Sequence, residues 1–247
     1  MQRDVGECGI HMIKVGCAGY PIARDRYWRA LSFVETDTGK GLPRLETLAA
    51  WRADIPAGGE AAFQALRLIT HGPEDRGFPV CGRKLPKNRQ AQCGVFRESL
   101  EVHEAWMATK ASAEALGSKI VVFDTPASFQ PGSDRLRDMY RFFKGASRGR
   151  LIFVWHPRGG EWSSLGDKVC ADLGLIRAFD PLRQPPPQKG AFLYLRPGLA
   201  RMGALSVDNM TTIVRACADV PSYVALSHRA SFRDAESLKE HLAGGRR

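Results

Sequence analysis

No apolar stretch in these 247 residues approaches the roughly 20 needed to span a bilayer, so no membrane partner is expected. Residues 1–11 carry charges and glycine and lack the apolar block of a secretory signal, which points to a cytoplasmic protein. The six cysteines form no C-x-x-C pair and no zinc-ribbon spacing, so the sequence offers no strong metal motif. No internal repeat is visible. Acidic residues are the scarce charge: 26 Asp and Glu stand against 36 Lys and Arg, a formal net charge of +10. Such an excess favours anionic partners, whether phosphorylated metabolites, nucleic acid or acidic proteins, without choosing among them.

Apolar, β-branched-rich runs are plentiful. They lie at 13–16, 31–35, 62–71, 120–124, 151–156, 175–180, 192–196 and 223–228, and most are separated by stretches with helical spacing. Continuous apolar runs mark strands of a parallel sheet buried on both faces. Eight of them within one domain-sized chain predict an α/β fold, a single closed (β/α)8 TIM-type barrel over residues 12–243, with 1–11 as an extension. The third strand is predicted to run from Ala62 to Thr70, so that His71 ends it. One helix is predicted over 99–116, capped by Ser99 and stopped by Gly117, with Leu100, Ala105, Trp106, Ala108, Ala111, Ala115 and Leu116 on its buried side.

The longest irregular segment follows His71. Between Gly77 and Arg97 it holds Arg83, Lys84, Lys87, Arg89 and Arg97 and no acid. A loop of this length in a compact domain is often functional, and the 77–97 stretch reads either as a ligand-facing loop or as a solvated, flexible one. Cys81 and Cys93 flank it. They are free thiols in a reducing cytosol, or a disulfide worth about 3 kcal/mol by loop-closure entropy. Cys170 and Cys217 read as buried small hydrophobes.

Several strand ends carry short motifs. These are Val15-Gly16-Cys17-Ala18-Gly19-Tyr20, Phe33-Val34-Glu35 with Thr38, the L-x-x-W-x-x-x-x-P pattern of 48–56, Leu68-Ile69-Thr70-His71, and Val121-Val122-Phe123-Asp124-Thr125-Pro126-Ala127-Ser128-Phe129. Trp155-His156-Pro157-Arg158-Gly159, Asp180-Pro181-Leu182-Arg183 and Tyr194-Leu195-Arg196 complete the series. In order and spacing they resemble the YecE-like family, domain of unknown function seventy-two, the long fourth-strand motif being closest to archaeal members. The resemblance implies a TIM-type barrel with a cleft at its strand ends and does not imply a reaction. This chain departs from the family pattern at Gln64 for a lysine, His156 for a glutamate, Leu226-Ser227-His228 for F-N-N, and Thr38-Gly39-Lys40 for T-F-Y.

Strand ends converge on one mouth in such a barrel. Candidate catalytic groups there are His71, Glu35 and His156, imidazole and carboxylate being the usual acids and bases. Asp124, Asp180 and His228 form a candidate metal set, with oxygen and nitrogen donors suited to a divalent ion such as zinc or manganese. The alternative is that Asp124 and Asp180 pair with Arg158 or Arg196 and only neutralise the rim. Arg158, Arg196, Arg229, Arg83 and Lys84 are candidate ligands for phosphate, since the guanidinium fork suits its oxygens; Arg201 lies just beyond Arg196. Tyr20, Trp28, Trp155 and Trp162 read as base-stacking or as packing residues. The leading expectation is metal-assisted hydrolysis of a phosphorylated or nucleic-acid substrate. A non-catalytic nucleic-acid or protein-binding barrel and a sugar-phosphate-type lyase or isomerase are the alternatives.

Overall fold

The computed structural model describes residues 13–158, 160–163, 165–187, 190–199, 203–217 and 220–244. The 1–11 extension and Arg201 lie outside them. Eight strands, β1 (Ile13–Ala18), β2 (Phe33–Thr36), β3 (Glu60–Gln64), β4 (Ile120–Asp124), β5 (Ile152–His156), β6 (Ile176–Phe179), β7 (Leu193–Leu195) and β8 (Ser222–Leu226), form a closed parallel barrel in sequence order. The (β/α)8 expectation holds. The helices are α1 (Arg24–Ala30), α2 (Leu45–Asp54), α3 (Val80–Arg83), α4 (Lys87–Gln90), α5 (Leu100–Leu116), α6 (Ser133–Gly145), α7 (Leu165–Leu173), α8 (Val207–Ala216) and α9 (Ser231–Gly244). None of them is long and apolar enough to cross a membrane.

The chain divides into two compact units, one of Met1–Glu35, Asp54–Glu60 and Ala178–Arg247, the other of Thr36–Ala53 and Ala61–Arg177. In the first, β1 pairs with β2 and with β8, and β7 with β8. Gly16 is required by the first of these pairings. A Cβ there would lie 1.8 Å from the Phe33 carbonyl oxygen, which no side chain tolerates. The Tyr27 hydroxyl sits at the same point, donating to Phe33 O at 2.6 Å and accepting from Cys17 N–H at 2.8 Å, so one buried group ties both strands to α1.

In the second unit β4 pairs with β3 and β5, and every residue of β4 is buried. Ser99 Oγ accepts from Val102 N–H, and Gly117 ends α5 in the left-handed region, as the sequence predicts. The buried face is Val102, Ala105, Trp106, Thr109, Ala113 and Leu116, the three-and-four spacing of one helix side. Leu100, Ala108 and Ala111, expected on that side, are exposed. Two of these three are alanines, which carry too little apolar surface to orient a helix.

The third strand is shorter than predicted. It stops at Gln64, because the Leu66 N–H goes to the Thr109 hydroxyl of α5 at 3.1 Å instead of continuing a ladder. Residues 66–71 then turn, with Ile69 and Thr70 N–H bonded three residues back and His71 N–H to Arg67 O. His71 therefore follows a turn and does not end a strand.

The segment after it is folded rather than loose. It contains α3 and α4, and Phe78, Cys93 and Phe96 are buried. Gly94, Val95 and Phe96 are all left-handed, with φ of 85°, 50° and 57°. Three such residues in a row are rare outside glycine. They are held by Gly94 N–H to Leu68 O, Val95 N–H to Thr70 O and Phe96 N–H to Ile69 O. The turn drives the Phe96 ring among Phe123, Phe129, Phe142 and Phe143, at centroid distances of 5.1–6.2 Å. Burying a phenyl ring is worth about 1.5–3 kcal/mol, enough to offset such strain. Cys81 and Cys93 are free thiols.

Candidate functional site

Each unit carries its own group of polar side chains at its strand ends. In the second unit the register sets Asp124, last of β4, directly opposite His156, last of β5. The Asp124 carboxylate is buried yet fully engaged. Arg158 donates to it through Nε at 2.9 Å and Nη2 at 2.7 Å, and His156 Nδ1 lies 2.8 Å from Oδ1. An ionised carboxylate only accepts, so this contact places a proton on His156 Nδ1. The β5 end is locked by the Thr125 N–H and hydroxyl, both donating to His156 O at 3.1 Å. The Arg158 side chain is half exposed. Two of its N–H groups hold Asp124; the rest have no partner among the described residues.

His71 is buried, with Nδ1 2.9 Å from the Thr70 hydroxyl. Burial pushes its pKa down to about 4; the Asp124 and Asp75 carboxylates oppose that shift, while Arg67 and Arg158 reinforce it. It is therefore neutral near pH 7 and a weak base, suited to donating or accepting one hydrogen bond. Gly77 makes room for its ring, since a Cβ at that position would lie 2.5 Å from His71 Cδ2. Asp75, which receives the Gly72 N–H at 2.8 Å and the Ser128 hydroxyl, ties this loop to the one after β4. Neither Asp75 nor Ser128 was among the sequence candidates, although Ser128 belongs to the fourth-strand motif. Gln64, which stands where the related motif has lysine, is occupied: its Oε1 accepts from Thr38 N–H at 3.2 Å. Arg83 and Lys84 are exposed on and just after α3, and Arg83 Nε donates to Phe78 O at 3.4 Å.

In the first unit Glu35 is fully buried, accepting from the Tyr194 hydroxyl at 2.7 Å and pairing with Arg196 at 3.1 Å. Burial and the adjacent carboxylate hold the Tyr194 phenol far above its ordinary pKa, so it remains a donor. Glu35 and Arg196 thus form a buried ion pair. Asp180 accepts from Leu182 N–H at 3.0 Å and meets Arg183 at 3.3 Å, so its arginine is neither Arg158 nor Arg196. His228 Nε2 is 2.7 Å from Asp234, which also takes the Leu205 N–H. Arg229 is exposed. Tyr20 packs edge-on against Tyr27 and Trp28, and burial raises its pKa to about 12. Trp155 and Trp162 are wholly buried and pack on each other, which makes them core rather than stacking platforms.

Asp124, Asp180 and His228 are each committed to a different partner, and among the described residues no three His, Cys, Asp or Glu side chains gather as a metal would require.

No protein-family profile and no curated protein matches the chain. Solved structures do. A DUF72 family protein from Enterococcus faecalis V583 is similar over 94% of this chain and 98% of its own, at 12% identity and a TM-score of 0.67. A second, from Thermotoga maritima MSB8, is similar over 94% and 100%, at 12% identity and a TM-score of 0.65. A D-psicose 3-epimerase follows at 10% identity and 0.52, over 93% of each chain. The chain has the barrel fold of DUF72 proteins, the family its strand-end motifs resemble.

Proposed function

We propose that this protein hydrolyses a phosphoester, in a phosphorylated small molecule or a nucleic acid, at the Asp124–His156–Arg158 centre. The supporting observation is the buried Asp124 carboxylate, held in bidentate fashion by a half-exposed guanidinium and shared with an imidazole. Asp124 orients His156 so that Nε2 can take a proton from an attacking water. The outer N–H groups of Arg158 can receive phosphate oxygens, with the side chain held rigid by its bidentate contact. As the water oxygen bonds to phosphorus, the ester P–O bond breaks and the leaving oxygen takes up the proton from His156. Neutral His71 contributes a hydrogen bond to the substrate rather than acting as the base. No step is assigned to a metal.

The test is turnover of p-nitrophenyl phosphate, bis-p-nitrophenyl phosphate and labelled oligonucleotides, with and without chelator. His156→Ala is expected to lower kcat by about 10²–10⁴-fold, the usual worth of a positioned acid–base group. Arg158→Gln is expected to act mainly on KM. Absence of turnover by the unmodified protein, or full turnover by His156→Ala, would refute this reading. The occupied Gln64 and Glu35 favour a second reading, a barrel that binds an anion without reacting. It predicts phosphate binding weakened by Arg158→Gln with no turnover in any assay.

A further inference from the structure

Residues 72–77 lie across the imidazole of His71. Gly77 covers the ring edge that carries Cδ2 and Nε2, so closely that a Cβ would come within 2.5 Å of one and 2.7 Å of the other. His71 is left 5% exposed. Its Nδ1 is engaged by the Thr70 hydroxyl, while Nε2 has no partner among the described residues. A neutral imidazole with one uncommitted nitrogen is a ready hydrogen-bonding group, and here the loop shields it.

The way the loop is held bears on whether it opens. Its backbone hydrogen bonds stay within the loop and its C-terminal edge: Asp75 N–H donates to Gly72 O at 3.0 Å and Phe78 N–H to Asp75 O at 2.9 Å. Asp75 Oδ2 takes the Gly72 N–H as well, which closes the loop on itself. Among the described residues its one hydrogen bond to another element comes from the Ser128 hydroxyl, in the segment after β4, to Asp75 Oδ1. Both ends are fixed, by His71 N–H to Arg67 O and by the buried Phe78. Pro73, Glu74 and Arg76 between them are exposed, so closure buries little. A self-bonded loop with glycine at each end, little buried surface and a single clasp is the kind of segment that opens locally while the fold persists. We propose that residues 72–77 form a lid, clasped by Asp75 and Ser128, that swings off His71 to admit a hydrogen-bonding ligand to Nε2. The substrate contact assigned to His71 above needs this opening; the opening itself does not depend on that reading.

Diethyl pyrocarbonate is the probe. It forms an N–C bond to a neutral imidazole nitrogen as ethyl carbonate leaves and breaks down to ethanol and carbon dioxide. The His71 ring is neutral at pH 7, as that reaction requires. Labelling of each of the six histidines is followed by mass spectrometry of peptides. His228, with its side chain 2% exposed and held by Asp234 at 2.7 Å, serves as the control for global unfolding. In the unmodified protein His71 is expected to react about tenfold or more faster than His228, because it needs only the lid to open. Ser128→Ala removes the clasp from an exposed position. It should raise the His71 rate about tenfold, the worth of one hydrogen bond to a charged group, and leave His228 unchanged. A His71 as slow as His228, a His71 rate unaltered by Ser128→Ala, or both histidines accelerating together would overturn the lid. Labelling is read without substrate, so it stands or falls apart from phosphoester hydrolysis.

Discussion

His71 illustrates how far a residue's chemistry depends on what covers it. Free in solution its imidazole titrates near pH 6.5; here burial lowers that to about 4. Above pH 6.5 the ring is neutral in both folded and unfolded chains. Between 6.5 and 4 only the unfolded chain takes up the proton, so stability falls as the pH is lowered through that window. The difference corresponds to about 3 kcal/mol at 1.36 kcal/mol per pH unit. Urea unfolding at pH 7 and pH 4 should therefore show a loss of this size in the unmodified protein beyond that in His71→Gln; equal losses would show the ring to be solvated. The sequence singled out His71, Asp124, His156 and Arg158 by position alone. It did not give their roles, because a role depends on which neighbour claims each polar atom. The same limit applied to Glu35, whose partners Tyr194 and Arg196 lie some 160 residues away along the chain.

Among the elements, the segment from Gly72 to Arg97 departs most from its sequence reading. Its basic composition left a ligand-facing loop and a solvated, flexible one both open; Phe78, Cys93 and Phe96 anchor it and two short helices form within it. Nothing in the local pattern announces three successive left-handed residues, since two of them are Val and Phe; tertiary hydrogen bonds to the 68–70 turn impose them. Gly94 is the element's tightest point. A Cβ there would lie 2.5 Å from Gly72 N and from the His71 carbonyl. Gly94→Ala is expected to cost about 2–4 kcal/mol, from left-handed strain plus the clash. Gly58 has a similar φ of 81° but nothing within 4 Å, so Gly58→Ala should cost only the strain, about 1–2 kcal/mol. Similar losses in thermal or urea unfolding for the two variants would mean that the backbone contact with His71 is soft. By contrast the ends of α5 were legible almost to the residue, because its Ser99 and Gly117 caps are local signals.

At the scale of the whole molecule, the barrel could be read from eight apolar runs because burial on both faces leaves an unbroken signature in each strand. The net charge of +10 was equally plain, but which cations are spent was not. Arg89 is paired with Glu101 and Glu104, whereas Arg83 and Lys84 have no carboxylate within ion-pair distance among the described residues. If these two meet phosphates, oligonucleotide affinity will fall with salt, and the double variant Arg83→Gln/Lys84→Gln will reduce the slope of log affinity against log salt by about 1–2. An unchanged slope removes them from the binding face.

The register joining β1 to β8 has a consequence for synthesis. Ile13 must wait for Ser222, its partner across the seam, and at about 5–20 residues per second that wait on the ribosome lasts roughly 10–40 s. Until then Glu35 lacks Tyr194 and Arg196, so the nascent chain has reason to postpone sealing that carboxylate. A chaperone that shields the early strands would find its client during this interval.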